Sequence, residues 1–218
     1  SVAVLGNDQL NDFKFISVRE HVAAQILEPL IDHKITVVPD PTLLLSRNQW
    51  DSISVEPNLE KYVFIYQLSF SSELLKIAND YAKGKGLKIV CAPFPMGKYI
   101  PAKWDLAAGP AEVLGYVKKS DFMFTTSYHG VIMALLFHKP FAVLIPPGIA
   151  SVGSRIFDFL KELNLETRIV NADSNQNIFE EKIDFESVDK ILIEKKMIGE
   201  NYLKKILNIS ESDNKNSE

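Results

Sequence analysis

The feature that most constrains the fold is the alternation of strand patterns and helix patterns along the chain. The clearest example has an apolar run at Tyr62–Leu68, a helical pattern at Ser71–Lys83 and a second apolar run at Leu87–Cys91. A near-continuous apolar run is typical of a strand that is buried on both faces. Gly84 and Gly86 favour the end of the helix between the two strands. The pattern therefore predicts a βαβ unit, with two parallel strands joined by a helix.

The same alternation extends over most of the chain. Residues 93–109 contain three prolines and are predicted to form a loop. The other predicted strands are Phe13–Ser17, Ile35–Val38, Asp121–Thr126 and Phe141–Ile145, and the other predicted helices are Val18–Ile31, Pro110–Lys119, Gly130–His138, Ser154–Leu163 and residues 176–209. The predicted fold class is α/β, with a mainly parallel sheet and helices on both of its faces.

Composition limits the classes of protein to which the chain can belong. Of its 218 residues, 46% are hydrophobic and 24% are charged, which is typical of a soluble globular protein. No apolar run reaches the roughly 18 residues that a membrane-spanning helix needs. The net charge of −4 gives no electrostatic basis for binding nucleic acid, so a phosphorylated ligand would need a local basic pocket. The single cysteine, Cys91, excludes an internal disulfide and is typical of a reducing compartment.

Several common catalytic motifs are absent from the sequence. There is no Gly-x-Gly-x-x-Gly and no phosphate-binding loop of the Gly-x-x-x-x-Gly-Lys type, which disfavours dinucleotide oxidoreductases and P-loop enzymes. There is no Asp-x-Asp pair, no His-Glu-x-x-His spacing and no Gly-x-Ser-x-Gly elbow. We therefore expect no bound metal and no serine-hydrolase chemistry.

Residues 121–144 have the pattern of a strand, a tight turn, a short helix and a second strand. Ligands of parallel sheets bind at the carboxyl ends of strands, beside helix N-termini, and Ser127, Tyr128, His129 and Gly130 fall at that place. Free backbone N–H groups and the helix dipole favour an anion there, His129 adds a donor or a proton, and Gly130 permits a close approach. The structural alternative is that Ser127 only caps the helix and His129 is a hydrogen-bonded turn residue.

This stretch resembles the signature of the polysaccharide pyruvyl transferase family. The family's pattern is Asp-x-x-x-Thr-x-Ser-aromatic-His-Gly, followed by an apolar helix and Lys-Pro-Phe, as in residues 121–141 here. Four further segments resemble the family in the same order, and they are Ile16–Glu20, Val38–Leu45, Gly109–Glu112 and Ser154–Arg168. The resemblance covers residues 15–170. It implies a glycosyltransferase-B-like architecture, with two Rossmann-like domains and the site in the cleft between them.

The resemblance also implies an activity and a set of site residues. The implied enzyme is a transferase that moves pyruvate, as a ketal, from phosphoenolpyruvate onto sugar hydroxyls of a surface polysaccharide or exopolysaccharide precursor. His129 is the implied catalytic residue, which contacts the donor and carries a proton. Arg19 and Arg155 are the implied contacts of the donor's phosphate and carboxylate. The remaining implied substrate-binding residues are Ser127, Tyr128 and Gly130. No cofactor is implied, since phosphoenolpyruvate is the donor substrate.

One position departs from the family's commonest motif. Many members have Ser-Arg-Leu-His-Gly, whose Arg is thought to hold the donor, whereas Tyr128 stands directly before His129 here. A branch of the family shares this Ser-aromatic-His-Gly pattern. The charge of the donor would then be met by Arg19, Arg155 or Lys139. A helix-start ion pair of Arg19 and a solvated Arg155 are the structural alternatives.

The resemblance suggests domain limits and a setting for the chain. Residues 1–14 are expected to be the end of a truncated N-terminal domain or a linker, residues 15–170 the Rossmann-like C-terminal domain, residues 171–209 helices that pack back across it, and residues 210–218 a polar tail. The expected partners are phosphoenolpyruvate and a saccharide acceptor, lipid-linked acceptors included, with no nucleic acid and no transmembrane segment. The missing signal peptide and the source of phosphoenolpyruvate suggest a cytoplasmic protein, peripheral membrane association included.

Two other classes of function stay open at this point. A glycosyltransferase that uses a nucleotide sugar could be built on the same fold, because a fold does not fix a function. A non-catalytic binding domain is favoured by the short chain and by the missing Arg. Convergence of Arg19, His129 and Arg155 on one cleft would favour the pyruvyl transferase over the binding domain, whereas an apolar slot for a base would favour the glycosyltransferase.

Overall fold

The structure is a computed structural model that describes residues 7–68, 70–92, 102–105, 107–145 and 150–207. Its residues group into two compact units. The smaller unit contains the segment up to Leu45 and the segment from Lys190 onwards, and the larger unit is Ser46–Asp189. The domain limits that the resemblance suggests stay a prediction.

Seven strands and eight α-helices occur in the described residues. The strands are β1 (Ile16–Val18), β2 (Ile35–Val37), β3 (Tyr62–Tyr66), β4 (Lys88–Ala92), β5 (Lys103–Trp104), β6 (Phe122–Thr125) and β7 (Phe141–Val143). The helices are α1 (Asn7–Asn11), α2 (His21–Leu27), α3 (Arg47–Ser52), α4 (Ser72–Lys85), α5 (Pro110–Lys119), α6 (Tyr128–Leu136), α7 (Ala150–Glu162) and α8 (Phe185–Leu207). Short 3-10 helices are formed by Glu28–Leu30, Pro41–Leu44, Glu166–Arg168 and Gln176–Phe179.

The larger unit is built on a five-stranded parallel sheet in the order β5-β4-β3-β6-β7. The first strand of this sheet along the chain is the central β3. The next two strands, β4 and β5, lie on one side of it, and β6 and β7 lie on the other side. This is the strand order of a Rossmann half, and the order reverses between β3 and β6. The predicted α/β class with a Rossmann-like, mainly parallel sheet is confirmed.

Helices cover both faces of this sheet, as predicted, because successive side chains of a strand point to opposite faces. On one face, Val63 and Ile65 belong to a buried cluster that includes Leu74 of α4. On the other face, the ring of Phe64 stacks on Tyr116 of α5, with ring centroids 5.4 Å apart. Both faces of β3 are therefore covered, which explains its continuous apolar run.

The ends of α4 and α5 follow the local sequence signals. The Ser71 hydroxyl accepts a hydrogen bond from the Leu74 N–H at the start of α4. Gly86 ends α4 with a φ of 65°, a left-handed conformation that favours glycine. Pro110 opens α5, where the lack of an N–H group costs nothing, and α5 has the predicted bounds.

The smaller unit contains a two-stranded parallel pair of β1 and β2, in which Ile16 lies opposite Ile35. Within this unit, α8 passes close to the segment after β2. A Cβ atom at Gly199 would lie 2.5 Å from the Leu44 Cδ2 atom and 3.1 Å from the Pro39 Cγ atom. Glycine at this position therefore permits the close approach.

Several predicted elements are wrong in part, and the predicted strand Phe13–Ser17 begins only at Ile16. The predicted loop 93–109 contains the short strand β5, although residues 93–101 and 106 lie outside the described residues. The predicted helix Val18–Ile31 begins only at His21 and gives way to a 3-10 helix at Glu28–Leu30, because a proline at position 29 interrupts the α-helical pattern.

The predicted helix 176–209 is also shorter than expected, since α8 begins at Phe185. The segment before it is held by Arg168, whose side chain is only 2% exposed. The guanidinium of Arg168 donates to the carbonyls of Ile178 and Glu181 at 2.8 and 2.7 Å. These carbonyls are bound by a side chain instead of by the next helical turn.

Two further properties of the described residues bear on function. Cys91 is buried in β4, and burial raises the pKa of its thiol to about 12, so the thiolate that a nucleophile requires is not formed at neutral pH. Among the described helices, none is both long and apolar enough to cross a membrane.

Candidate functional site

The candidate site lies at the carboxyl ends of β3 and β6, where the strand order reverses. In open α/β sheets, ligands bind in the crevice outside these strand ends. β3 and β6 are in parallel register, with Tyr66 beside Thr125. The next residues along both strands, Gln67 and Thr126, are 3% exposed. Two polar residues of this edge are therefore buried at the place where the fold binds ligands.

The turn from β6 into α6 is fixed by the Thr125 side chain. Its hydroxyl donates to the Tyr66 carbonyl at 2.6 Å and accepts from the Ser127 N–H at 3.0 Å. The Thr126 N–H also donates to the Tyr66 carbonyl, at 3.3 Å. These bonds tie the start of α6 to the end of β3, so the two strand ends form one rigid edge.

We expect Thr125→Val to lower the free energy of unfolding by about 1–3 kcal/mol. Valine keeps the shape of threonine but leaves the Ser127 N–H and the Tyr66 carbonyl without the bonds that the Thr125 hydroxyl makes. Urea denaturation measures the change. Thr125→Ser is the matched control, since it retains the hydroxyl, and equal stability of the valine and serine variants would contradict the role of this hydroxyl.

The helix α6 begins with a serine cap. The Ser127 hydroxyl accepts from the Gly130 N–H at 3.4 Å, and Ser127 is 3% exposed. This confirms the capping role considered from the sequence. A serine cap binds one of the N–H groups of a first turn, and the helix dipole favours negative charge beside that turn. The start of α6 therefore combines a cap with a field that suits an anion.

Gly130 packs directly against the strand ends. A Cβ atom at this position would lie 2.3 Å from the Thr125 Oγ1 atom and 3.1 Å from the Tyr66 Cδ1 atom. The side chains of Thr125 and Tyr66 thus lie too close to Gly130 to leave room for a larger residue, and this packing explains the glycine. Its expected contact with a ligand stays a prediction.

The first turn of α6 also meets α7. The Tyr128 ring lies 5.4 Å from the Phe159 ring, measured between centroids, and the Arg155 guanidinium carbon lies 5.5 Å from the Tyr128 centroid. The Tyr128 and His129 rings are 5.8 Å apart at 74°. The structure thus brings Ser127, Tyr128, His129, Gly130 and Arg155 into one neighbourhood. Arg155 lies within α7, which begins at Ala150, so it is not the helix-start residue that the sequence suggested.

Two other predicted cations belong to other segments of the chain. Arg19 belongs to the smaller unit, where it forms an ion pair with Asp40. Asp40 is 2% exposed and also accepts from the Thr42 N–H at 3.0 Å, so its side chain stabilises its own turn. Lys139 follows the C-terminal end of α6, where its N–H donates to the Ala134 carbonyl. A nine-residue helix is about 13 Å long, so Lys139 is not beside the first turn of α6.

The sequence did not single out Gln67, which lies at the same edge. Its Oε1 atom accepts from the Ser71 N–H at 3.2 Å, just before α4, so the side chain lies against the start of a second helix. The available signal was its position, since a polar residue directly after a buried strand falls at the edge where ligands bind. No group of three or more His, Cys, Asp or Glu side chains suited to a metal occurs among the described residues.

The fold and this edge define the class of protein as a Rossmann-like α/β protein with an anion-favouring helix start at the reversal of strand order. A family model described as polysaccharide pyruvyl transferase matches residues 6–146, which is more than half of the chain. The chain belongs to the polysaccharide pyruvyl transferase family.

A solved structure is also similar to this chain, the UDP-GlcNAc 2-epimerase of Methanocaldococcus jannaschii in complex with UDP-GlcNAc and UDP. The identity is 14% and the TM-score is 0.39. The match covers 82% of this chain and 60% of the epimerase chain, so the chain spans less than two thirds of that protein. The comparison with curated proteins returned no match.

Proposed function

We propose that the chain binds the donor of a pyruvyl transferase, which moves pyruvate from phosphoenolpyruvate onto two hydroxyls of a saccharide. The observation that supports this most directly is the start of α6. There Ser127 and Gly130 form the capped first turn, and Arg155 lies beside the ring of Tyr128, next to His129. An anion at this place meets the helix dipole and a guanidinium. Family membership supports the reaction type.

The proposed reaction balances without a cofactor. A proton is added to the CH2 carbon of phosphoenolpyruvate, and one sugar hydroxyl forms a bond to the neighbouring carbon while losing its own proton. A second sugar hydroxyl then forms the second C–O bond, and the C–O bond to phosphate breaks. The proton of this second hydroxyl leaves with the phosphate. The products are a cyclic pyruvate ketal and inorganic phosphate.

This chemistry assigns roles to the residues at the strand edge. His129 is the proposed proton carrier, because a positioned acid or base contributes about 10²–10⁴-fold to rate. Arg155 is the proposed partner of the donor's carboxylate or phosphate, since a guanidinium binds both in a forked geometry. The first turn of α6 would stabilise the negative charge that grows on the leaving phosphate. The acceptor, lipid-linked saccharides included, and the cytoplasmic setting are parts of the same proposal.

Calorimetric titration with phosphoenolpyruvate tests this proposal. We expect saturable binding that His129→Ala weakens about tenfold to hundredfold, because a hydrogen bond to a charged group contributes roughly 1.5–3 kcal/mol. His21→Ala is the matched control, since His21 is an exposed residue of α2 in the smaller unit.

The same titration separates the alternatives. Binding of UDP or a UDP-sugar without binding of phosphoenolpyruvate would favour a nucleotide-sugar glycosyltransferase, because a diphosphate also suits the start of α6. If none of these ligands binds, the proposal that this chain holds the donor is wrong, and a non-catalytic domain becomes the better description.

A further inference from the structure

Gln67 is a buried polar residue at the reversal of strand order that the proposed mechanism does not use. It directly follows β3 and is 3% exposed. Because Tyr66 is in register with Thr125, Gln67 comes abreast of Thr126, one residue before the Ser127 cap of α6. Its backbone therefore lies where the ends of β3 and β6 meet, and its side chain extends to the start of α4.

The orientation of the Gln67 amide follows from one hydrogen bond. The Oε1 atom accepts from the Ser71 N–H at 3.2 Å. The opposite amide orientation would place the Nε2 donors against this N–H donor, so the hydrogen bond assigns the oxygen to the α4 side. The Nε2 atom is buried and has no hydrogen-bond partner among the described residues.

A buried amide nitrogen without a partner is costly, by roughly 1–3 kcal/mol. The start of α4 does not require it, because the Ser71 hydroxyl caps the Leu74 N–H and only the oxygen of Gln67 contacts the Ser71 N–H. A carboxylate or an ester oxygen would serve that contact equally well. The two N–H donors thus have no structural use among the described residues, at a place where the fold binds ligands.

We propose that the Gln67 Nε2 group binds an oxygen of the anionic ligand held between β3 and β6. This inference rests on the proposed function for the identity of the ligand, which is phosphoenolpyruvate. The Nε2 group would bind a carboxylate or phosphate oxygen of the ligand. Such oxygens accept hydrogen bonds from the two amide N–H groups, which lack partners among the described residues. Gln67 is in this assignment a binding residue that positions the donor and not an acid or a base.

The test uses the side-chain amide signals of glutamine in a ¹H–¹⁵N NMR spectrum of the chain. The Gln67 signals are assigned by their disappearance in Gln67→Glu. We expect phosphoenolpyruvate to shift them saturably, with the same affinity that calorimetry gives, and to leave the signals of Gln25 and Gln49 in place. A residue with only a structural role would not show this shift.

The variant Gln67→Glu provides the second readout. Glutamate keeps an acceptor for the Ser71 N–H at the start of α4, where negative charge is favoured, so we expect stability to be retained. It removes the amide donors and opposes an anion, so we expect binding of phosphoenolpyruvate to weaken at least tenfold. Gln25→Glu is the matched control, because Gln25 is exposed on α2 and the charge change is the same.

The possible outcomes separate this inference from the proposed function. Tight binding of phosphoenolpyruvate by both wild type and Gln67→Glu, without a shift of the Gln67 signals, overturns the role of Gln67 and leaves the function standing. A shift caused by UDP but not by phosphoenolpyruvate overturns the proposed donor and supports Gln67 as the ligand contact. Inorganic phosphate and pyruvate, added separately, show which anionic group is recognised. If none of the four compounds shifts the signals, the assignment is wrong.

Discussion

Gly115→Ala is expected to lower the free energy of unfolding by about 3 kcal/mol or more, a loss at the upper end of single-site effects. A Cβ atom at Gly115 would lie 1.8 Å from the carbonyl oxygen of Val55 and 2.5 Å from its carbonyl carbon. These are backbone atoms, so no side-chain rotation relieves the overlap. The segment also cannot move away freely, because the Val55 N–H donates to the Ala111 carbonyl of α5 at 2.9 Å.

Urea denaturation of Gly115→Ala beside Gly84→Ala measures this effect. Gly84 lies in α4, and nothing lies within 4 Å of a Cβ atom placed there. Alanine in an exposed helix interior is favoured over glycine by roughly 0.5–1 kcal/mol, so Gly84→Ala is expected to stabilise the protein. Similar small changes in both variants would contradict the packing of the Val55 segment against α5.

The sequence predicted the central part of the fold because local signals and burial agree there. The run Tyr62–Tyr66 is apolar because β3 is covered on both faces, and serine and glycine residues mark the two ends of α4. Pro110 is suited to only a few positions of a helix, and α5 was predicted with its observed bounds. A residue type that is restricted to a few positions of a helix or strand allows the bounds of that element to be predicted from one sequence.

Elements that depend on distant contacts could not be predicted. The strand β5 has two residues and exists because Lys103 and Trp104 pair with β4. The segment before α8 does not continue the α-helix, because Arg168 binds two of its carbonyl groups. These carbonyls belong to residues 10 and 13 positions after Arg168 in the sequence. A tertiary contact of this kind overrides local propensity and leaves no periodic signal in the chain.

The candidate site was predictable in position more than in detail. The Ser127 cap and the strand-to-helix turn follow from local sequence, and the structure has both. The hydrogen-bond network of Thr125 and the buried amide of Gln67 depend on the pairing of β3 with β6, which joins residues 59 positions apart in the Thr125 bond. The ion pair of Arg19 with Asp40 likewise joins residues 21 positions apart.

Gly130→Ala is expected to affect stability and ligand binding together. The new Cβ atom would lie 2.3 Å from the Thr125 Oγ1 atom and 3.0 Å from the Thr125 Cβ atom. The Thr125 hydroxyl cannot turn away without losing its bonds to Tyr66 and Ser127. The first turn of α6 must therefore move off the strand ends, and we expect a loss of about 1–3 kcal/mol in the free energy of unfolding. Binding of phosphoenolpyruvate is expected to weaken at least tenfold, because small displacements of a positioned site have large effects.

Gly84→Ala is the control for this displacement. Gly84 also lies in a helix of the larger unit, and nothing lies within 4 Å of a Cβ atom placed there. Alanine is favoured over glycine within a helix, so we expect equal or greater stability and unchanged affinity. Calorimetry and urea denaturation on both variants give the comparison. Unchanged affinity in a destabilised Gly130→Ala would show that the ligand does not use the start of α6, because the displacement of that turn would then be without consequence for binding.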